Sequence, residues 1–200
     1  MGFFSDLKQR REQKRKELEQ KEKQLEFERR RQRRFPTIDF RPMENCVQWQ
    51  CNVVGESFHK KEISSIGVPN KTYKLSKSDL YKNGLLDVQV YEFWFPKVET
   101  VLLPEPSNKH DKNAVRVYMN GVQVGYIKAN ESASVNKMLE DRRIRRIQGY
   151  LSGGNSRTLN TGGCYYEDGE KIPLSELYID RESGDYSATV FIDFIPKETT

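Results

Sequence analysis

Residues 105–115 read Glu-Pro-Ser-Asn-Lys-His-Asp-Lys-Asn-Ala-Val, and nine residues after the end of that run the chain reads Val124-Gly-Tyr-Ile-Lys128. Carboxylate, amide, imidazole and ammonium groups crowd one turn-forming run with no strong nucleophile in it. Their chemistry is hydrogen-bond recognition. The chain leaves the run through residues 114–119, turns at Asn120-Gly121 and returns through residues 123–127. Asn-Gly tolerates the positive φ angles of a type I′ turn, so this is the strongest hairpin signal in the sequence. A polar loop feeding a tight hairpin places recognition groups on the edge of a rigid sheet.

Catalysis finds little support. There is no GxxxxGK[ST] phosphate loop and no GxSxG elbow. His59 and His110 are not at metal-ligand spacing with each other or with a cysteine, and adjacency in sequence does not make His110 and Asp111 a dyad. The remaining enzymatic alternative is a metal nuclease built from scattered carboxylates, with Asp111, Glu105 and Asp180 as its candidates. We read the chain as a non-enzyme with no cofactor and no metal.

The charge is localised. Residues 5–34 carry 13 Lys/Arg and 7 Asp/Glu, while the whole 200-residue chain has a net charge of +5. The basic pI therefore describes an arm, and the body is nearly neutral. Cys46, Cys51 and Cys164, an odd set without a CxxC pair, argue against a disulfide framework and against structural zinc. Reduced thiols in a cytoplasmic setting are expected. No run approaches the roughly 18 apolar residues of a membrane span, and the start lacks the order of a signal peptide.

Residues 1–34 are expected to form one charged helix, capped by Ser5 or Asp6 and ended before Pro36. Glu12/Lys16, Glu17/Lys21, Glu19/Lys23 and Glu26/Arg30 are pairs at i,i+4 in the better orientation. Leu7, Leu18 and Leu25 fit a heptad seam, but Arg11, Lys14 and Lys21 interrupt it. A solvated helix, a weak coiled coil and a basic arm using Arg29, Arg30, Arg31, Arg33 and Arg34 all stay open. Residues 35–45, with two prolines, read as an extended linker. The body, residues 46–196, should be mainly β: strands at 47–54, 86–95, 99–103, 115–118, 123–127, 145–151 and 186–195. A short helix or turn is expected near 76–82, and another helix at 130–141 carries Val135, Met138 and Leu139 on one side. Residues 152–172 read as a flexible loop or long hairpin. Trp49, Phe93, Trp94 and Phe95 lie at strand spacing and read as core. Gly125 reads as a place of close backbone packing. The expected architecture is a small, partly open, OB-like β-barrel with one short helix.

Three blocks, in order, resemble the HIRAN domain: Val54-Gly-Glu-Ser-Phe-His59, then Leu103-Pro-Glu-Pro-Ser-Asn-Lys-His-Asp-Lys-Asn-Ala-Val-Arg-Val117, then Asn120-Gly-Val-Gln-Val-Gly-Tyr-Ile-Lys128. The Asp-x-Asn-Ala-Val block is the specific one. The resemblance implies an OB-like barrel that captures the 3′ end of single-stranded DNA. It places Asp111 at the end-reading position, where a carboxylate accepts a hydrogen bond from a free 3′-hydroxyl and repels a 3′-phosphate. Phe58, and more weakly His59, would stack bases. Asn108, His110 and Tyr126 fall within the matching blocks. Ser57 stands where end-binding members can carry an arginine, a departure that removes a phosphate contact. Lys109, Lys112 and Lys128 could neutralise phosphate in its place.

Each residue has a plainer role beside this one. Asp111, Asn113 and Asn108 could simply organise the turn. Phe58 could be core, and both histidines could be structural. At the level of the whole chain, a DNA-end-binding module stands against a protein-interaction scaffold that works through the helix, by docking a partner or by self-association. No membrane role is expected.

Overall fold

The structure, a computed structural model, describes residues 3–162 and 172–197, with the side chains of residues 3–11, 14 and 18 outside that description. Cys164 and the end of the expected 152–172 loop therefore lie outside the described residues. The chain divides into two compact units, Met1–Phe40 and Arg41–Thr200.

The first unit is helix α1 (Phe3–Arg34) and a short hook. Three of the four expected pairs form: Glu12–Lys16 at 3.7 Å, Glu19–Lys23 at 2.7 Å and Glu26–Arg30 at 2.6 Å. All are solvated, so they support the helix weakly. Residues 35–40 differ from the expected extended linker. The Phe35 N–H donates to the Arg31 carbonyl, and the Gln32 amide donates to the Pro36 carbonyl at 3.0 Å. The Arg31 guanidinium lies 4.1 Å from the Phe40 ring centroid, and Phe35 and Phe40 meet edge to face. Pro36 stops the helix, and these aromatic contacts turn the chain back on its last turn.

In the second unit, β1 (Val47–Val54), β5 (Thr100–Pro104), β6 (Val115–Met119), β7 (Val122–Ile127), β8 (Ile144–Gly153) and β11 (Tyr186–Phe194) form one antiparallel sheet in the order β5-β6-β7-β1-β11-β8. β1 changes partner along its length: residues 47–52 pair with β11, and Val53 and Val54 pair with β7. The sheet curls until its edges approach. A Cβ on Gly149 of β8 would collide with Thr100 of β5. This is the nearly closed barrel expected of the alternating strands. Val115, Val117 and Met119 point inward from β6, while Arg116 and Tyr118 point outward. Ile63 of helix α2 (Lys60–Ser65) and Val135 of helix α4 (Ala129–Glu140) complete the core. The turn at Asn120-Gly121 has φ values of 48° and 82°, as the Asn-Gly signal requires.

A second, smaller core gathers Leu80 from helix α3 (Lys77–Lys82), Val90 from β3 (Gln89–Tyr91), Leu159 from β9 (Ser156–Asn160) and Leu177, just before β10 (Tyr178–Glu182). Ser76 caps α3 by accepting the Asp79 N–H. This layer departs most from expectation. Residues 86–95 do not form one strand. β3 joins β9, while β4 (Phe93–Trp94) pairs with β2 (Val68–Pro69); Glu92 is the switch, its N–H still donating to the Asn155 carbonyl on the β9 side and its own carbonyl accepting the Asn70 N–H on the β2 side. Phe95 is buried and Trp49 and Phe93 pack on the core, but Trp94 is 57% exposed and not core. Part of the expected loop is strand β9, and β10, with its mostly exposed Tyr-Ile-Asp-Arg-Glu sequence, carries no alternating apolar signal.

The barrel is also tied by a buried carboxylate. Asp193 on β11 is fully buried and lies between its register partners Gln48 on β1 and Arg146 on β8. The Gln48 amide donates to Oδ1 at 3.0 Å, and Arg146 Nε donates to Oδ2 at 2.7 Å. The Met43 N–H reaches Oδ2 at 3.3 Å, and Arg146 also donates to the Arg41 carbonyl at 2.6 Å. One carboxylate thus joins three strands and residues 41–43. Removing it takes the shared acceptor from the half-buried Arg146 guanidinium, the Gln48 amide and the Met43 N–H, a loss of about 1–3 kcal/mol. Asp193→Ala is expected to lower the urea-unfolding free energy of the second unit by that order, whereas Glu19→Ala on α1 should leave it unchanged.

Candidate functional site

The loop at residues 105–114 is built by side chains bonding to nearby backbone, as Asp and Asn do readily. Asn108 Oδ1 accepts the N–H groups of His110 at 2.9 Å and Asp111 at 3.1 Å. Asp111 Oδ1 accepts the Asn113 N–H at 2.8 Å, and the Asp111 carbonyl accepts the Ala114 N–H at 3.0 Å. Asn108 is therefore a turn residue whose amide is committed to the loop. Asp111 is only half committed, because its Oδ2 carries no hydrogen bond among the described residues. The side chains of Lys109, His110 and Lys112 are exposed around it, and neither lysine has a carboxylate partner there.

Glu105 anchors this loop to the sheet. Oε2 accepts the Asn108 amide at 2.9 Å and the Tyr126 hydroxyl at 3.1 Å, and Oε1 is paired with the Arg116 guanidinium. The Glu105 side chain is only 15% exposed. Bonding to Arg116, then to Asn108 and Tyr126, outweighs desolvation and holds its carboxyl down at about 2. The Arg116 guanidinium is pushed above its usual range by Glu105 first, then by Tyr118 and Tyr126. Glu105 entered the sequence reading only as a motif residue and a nuclease candidate, and Arg116 was missed. The alternation of Val115-Arg-Val-Tyr-Met places Arg116 outward with Tyr118 and was the available signal. Its pairing with Glu105 depends on the β5–β6 register, Pro104 opposite Val115.

Tyr126 is the middle of the arrangement. Across the sheet it lies opposite Arg116 on β6 and opposite Val54 on β1. Val54 leads through Gly55, at φ 92°, into the single 3-10 turn Glu56–His59 that carries Ser57, Phe58 and His59. Glu56 Oε1 accepts the Ala188 N–H at 3.0 Å, so the turn is fixed to β11. Phe58 is 86% exposed and is not core. Ser57 is exposed and His59 half-buried. Gly125 permits the close packing expected of it: a Cβ there would strike the Val54 carbonyl oxygen. Lys128 is exposed just ahead of α4, its N–H donating to the Asn52 carbonyl at 2.9 Å. The structure thus brings Asn108, His110, Asp111 and Tyr126 together through Glu105, and sets Ser57, Phe58 and His59 on the opposite side of Tyr126.

In the first unit, the basic run is partly committed. Arg30 pairs with Glu26, Arg31 lies over Phe27 and Phe40, and Arg34 lies over Phe35. Arg29 and Arg33 are exposed and have no carboxylate partner among the described residues. The three nuclease candidates do not assemble: Glu105 and Asp111 share the loop, but Asp180 lies on β10 in the three-stranded sheet. Among the described residues no group of three His, Cys, Asp or Glu side chains could hold a metal ion. No described helix is long and apolar enough to cross a membrane. Burial pushes the Cys51 thiol up to about 12, so it is inert.

A carboxyl whose pKa falls on folding contributes stability above its unfolded pKa and loses it as pH drops through the folded value. Glu105 therefore contributes fully above the ordinary glutamate range, and that contribution disappears on acidification toward pH 2. Glu105→Gln should remove this part of the acid dependence in unfolding titrations. At neutral pH it should also speed amide exchange in residues 108–114.

Residues 89–175 match the sequence model of the HIRAN domain. The second and third resembling blocks fall inside that span, and the Val54-Gly-Glu-Ser-Phe-His59 block precedes it. No curated protein matches the chain. A search of solved structures returned the crystal structure of the HIRAN domain of human HLTF, at 12% identity and a TM-score of 0.30, covering 72% of this chain and 74% of that one. On the match over residues 89–175, which contains the Asp111 loop, its hairpin and Tyr126, the chain carries a HIRAN domain.

Proposed function

We propose that the barrel is a binding module that captures the 3′ end of single-stranded DNA and has no catalytic activity of its own. The observation that carries this reading is the exposed Phe58 ring on a turn anchored beside Tyr126, across from a loop in which Asp111 Oδ2 is left open. An exposed ring held by an anchored turn is a stacking platform for an unpaired base. The open carboxylate oxygen can accept a hydrogen bond from a terminal hydroxyl and repels a terminal phosphate. Lys112 and Lys128, both without carboxylate partners among the described residues, hold the strand's phosphates in place of the arginine missing at Ser57. Arg29 and Arg33 of α1 add nonspecific affinity. The process served is DNA repair, replication or phage or mobile-element DNA processing in the cytoplasm, through protection of ends or recruitment of an enzyme.

A second reading has its own support. α1 exposes Leu25 at 48% and Phe27 at 61%, side chains that a docked partner or a second α1 would cover. In that case the helix works and the barrel is a scaffold.

Fluorescence anisotropy of the full chain with a short oligonucleotide ending in a 3′-hydroxyl or a 3′-phosphate separates them. Hydroxyl ends should bind more tightly, Asp111→Ala should erase that preference, and Phe58→Ala should cost about 1–3 kcal/mol of binding. An Arg29→Ala/Arg33→Ala double variant should keep the preference while flattening the salt dependence. Binding that is blind to the end and lost with those arginines would assign the affinity to the arm.

A further inference from the structure

Four segments far apart in sequence converge on a cleft of about 360 Å³, lined among others by Lys60, Lys61, Glu92, Phe93, Asn155 and Tyr186. Two rings form its walls, and glycine contacts fix both. Tyr186 meets Phe95 edge to face at 5.8 Å and lies against Gly154, where a Cβ would be 2.5 Å from the ring. Phe93 lies against Gly67, where a Cβ would be 2.8 Å from it. Larger residues at these glycines would displace the walls.

The polar groups are sorted. Glu92 is held by the Asn155 amide at 2.8 Å, and Lys60 is paired with Asp185. The Lys61 ammonium and the Tyr186 hydroxyl have no partner among the described residues, although both line the cleft. Burial raises the Tyr186 phenol pKa, and Glu92 raises it further, so the hydroxyl stays a neutral donor. The inner wall is thus aromatic with a carboxylate acceptor, and unmatched donors include an ammonium at the mouth.

We infer that this cleft holds one unpaired nucleotide, its base between Tyr186 and Phe93 and its phosphate at Lys61. The volume is within the range of small-ligand sites. The carboxylate of Glu92 keeps a bare anion out of the interior but accepts from a base N–H, so the phosphate stays at the mouth. Lys60 and Lys61 follow directly on Phe58 and His59, so a strand ending at Phe58 can place a preceding nucleotide here. That source rests on the proposed 3′-end reading. A free nucleotide offers the same chemistry and does not depend on it.

The test uses the full chain, the substitutions K61E and Y186F, and two probes. One is adenosine monophosphate, followed by calorimetry. The other is a 3′-hydroxyl oligonucleotide with a fluorescent adenine analogue at the second, third or fourth position from its end. Quenching is expected at one of these positions. K61E should weaken the binding probe about five- to tenfold and Y186F less, with the hydroxyl-over-phosphate preference of the strand unchanged. Response of the mononucleotide alone supports the cleft and assigns it to free nucleotides. Strands that bind without end preference but still respond to K61E support the cleft while overturning the end reading. If both variants bind both probes like the parent, or the parent binds neither, the inference is overturned.

Discussion

The site depends on β1 serving two partners. Its first six residues belong to β11 and its last two to β7, and this handover joins the β5-β6-β7 half of the barrel to the β11-β8 half. It requires the Val54 carbonyl to lie where a side chain on Gly125 would otherwise be. The same contact sets Val54, which leads into the Phe58 turn, beside Tyr126, whose hydroxyl reaches Glu105 at the base of the Asp111 loop. Strand closure and the placement of the Phe58 turn are therefore one feature of the backbone. A side chain at position 125 would disturb both.

Two carboxylates then hold the two halves, by different physics. Asp193 is fully buried and meets donors from Gln48, Arg146 and Met43. A buried pair of this kind contributes less by its presence than its disruption costs, because the lost partner leaves a charge without solvent. Glu105 lies nearer the surface and holds a loop against strands that exist without it. Its bonds decide where Asn108 points, and through Asn108 where the Asp111 carboxylate sits. Asp193 acts on the stability of the fold, and Glu105 on the placement of the loop.

The two units answer to different balances of charge and burial. α1 has solvated i,i+4 pairs and a polar surface, so its helicity comes from local terms. Its hook places Arg31 over Phe40 and Arg34 over Phe35, contacts in which a guanidinium keeps its charge while covering apolar surface. Arg29 and Arg33 remain as the cations of this run with neither a carboxylate nor a ring partner among the described residues. In the second unit the smaller core of Leu80, Val90, Leu159 and Leu177 supports the layer that forms two walls of the cleft, through Glu92 and Phe93 on one side and Asn155 on another.

The sequence by itself determined the features whose causes are local. Asn120-Gly121 specified its hairpin through positive φ, Ser76 and Asp79 specified the start of α3, and α4 followed from its apolar spacing. The polar run at 105–115 announced a turn-forming loop, and its motif announced the HIRAN resemblance. Tertiary structure decided what depends on partners far along the chain. The change of partner at Glu92 joins Asn155 on one side to Asn70 on the other, and β10 is a strand because β9 pairs with it, despite its mostly exposed sequence. Trp94 is exposed because β4 pairs with β2 outside both large sheets. Glu105 met Arg116 only when the β5–β6 register was set, and the cleft exists only where four distant segments converge. Local conformational preference is written in neighbouring residues, whereas register and convergence depend on which surfaces the folded chain can bury together.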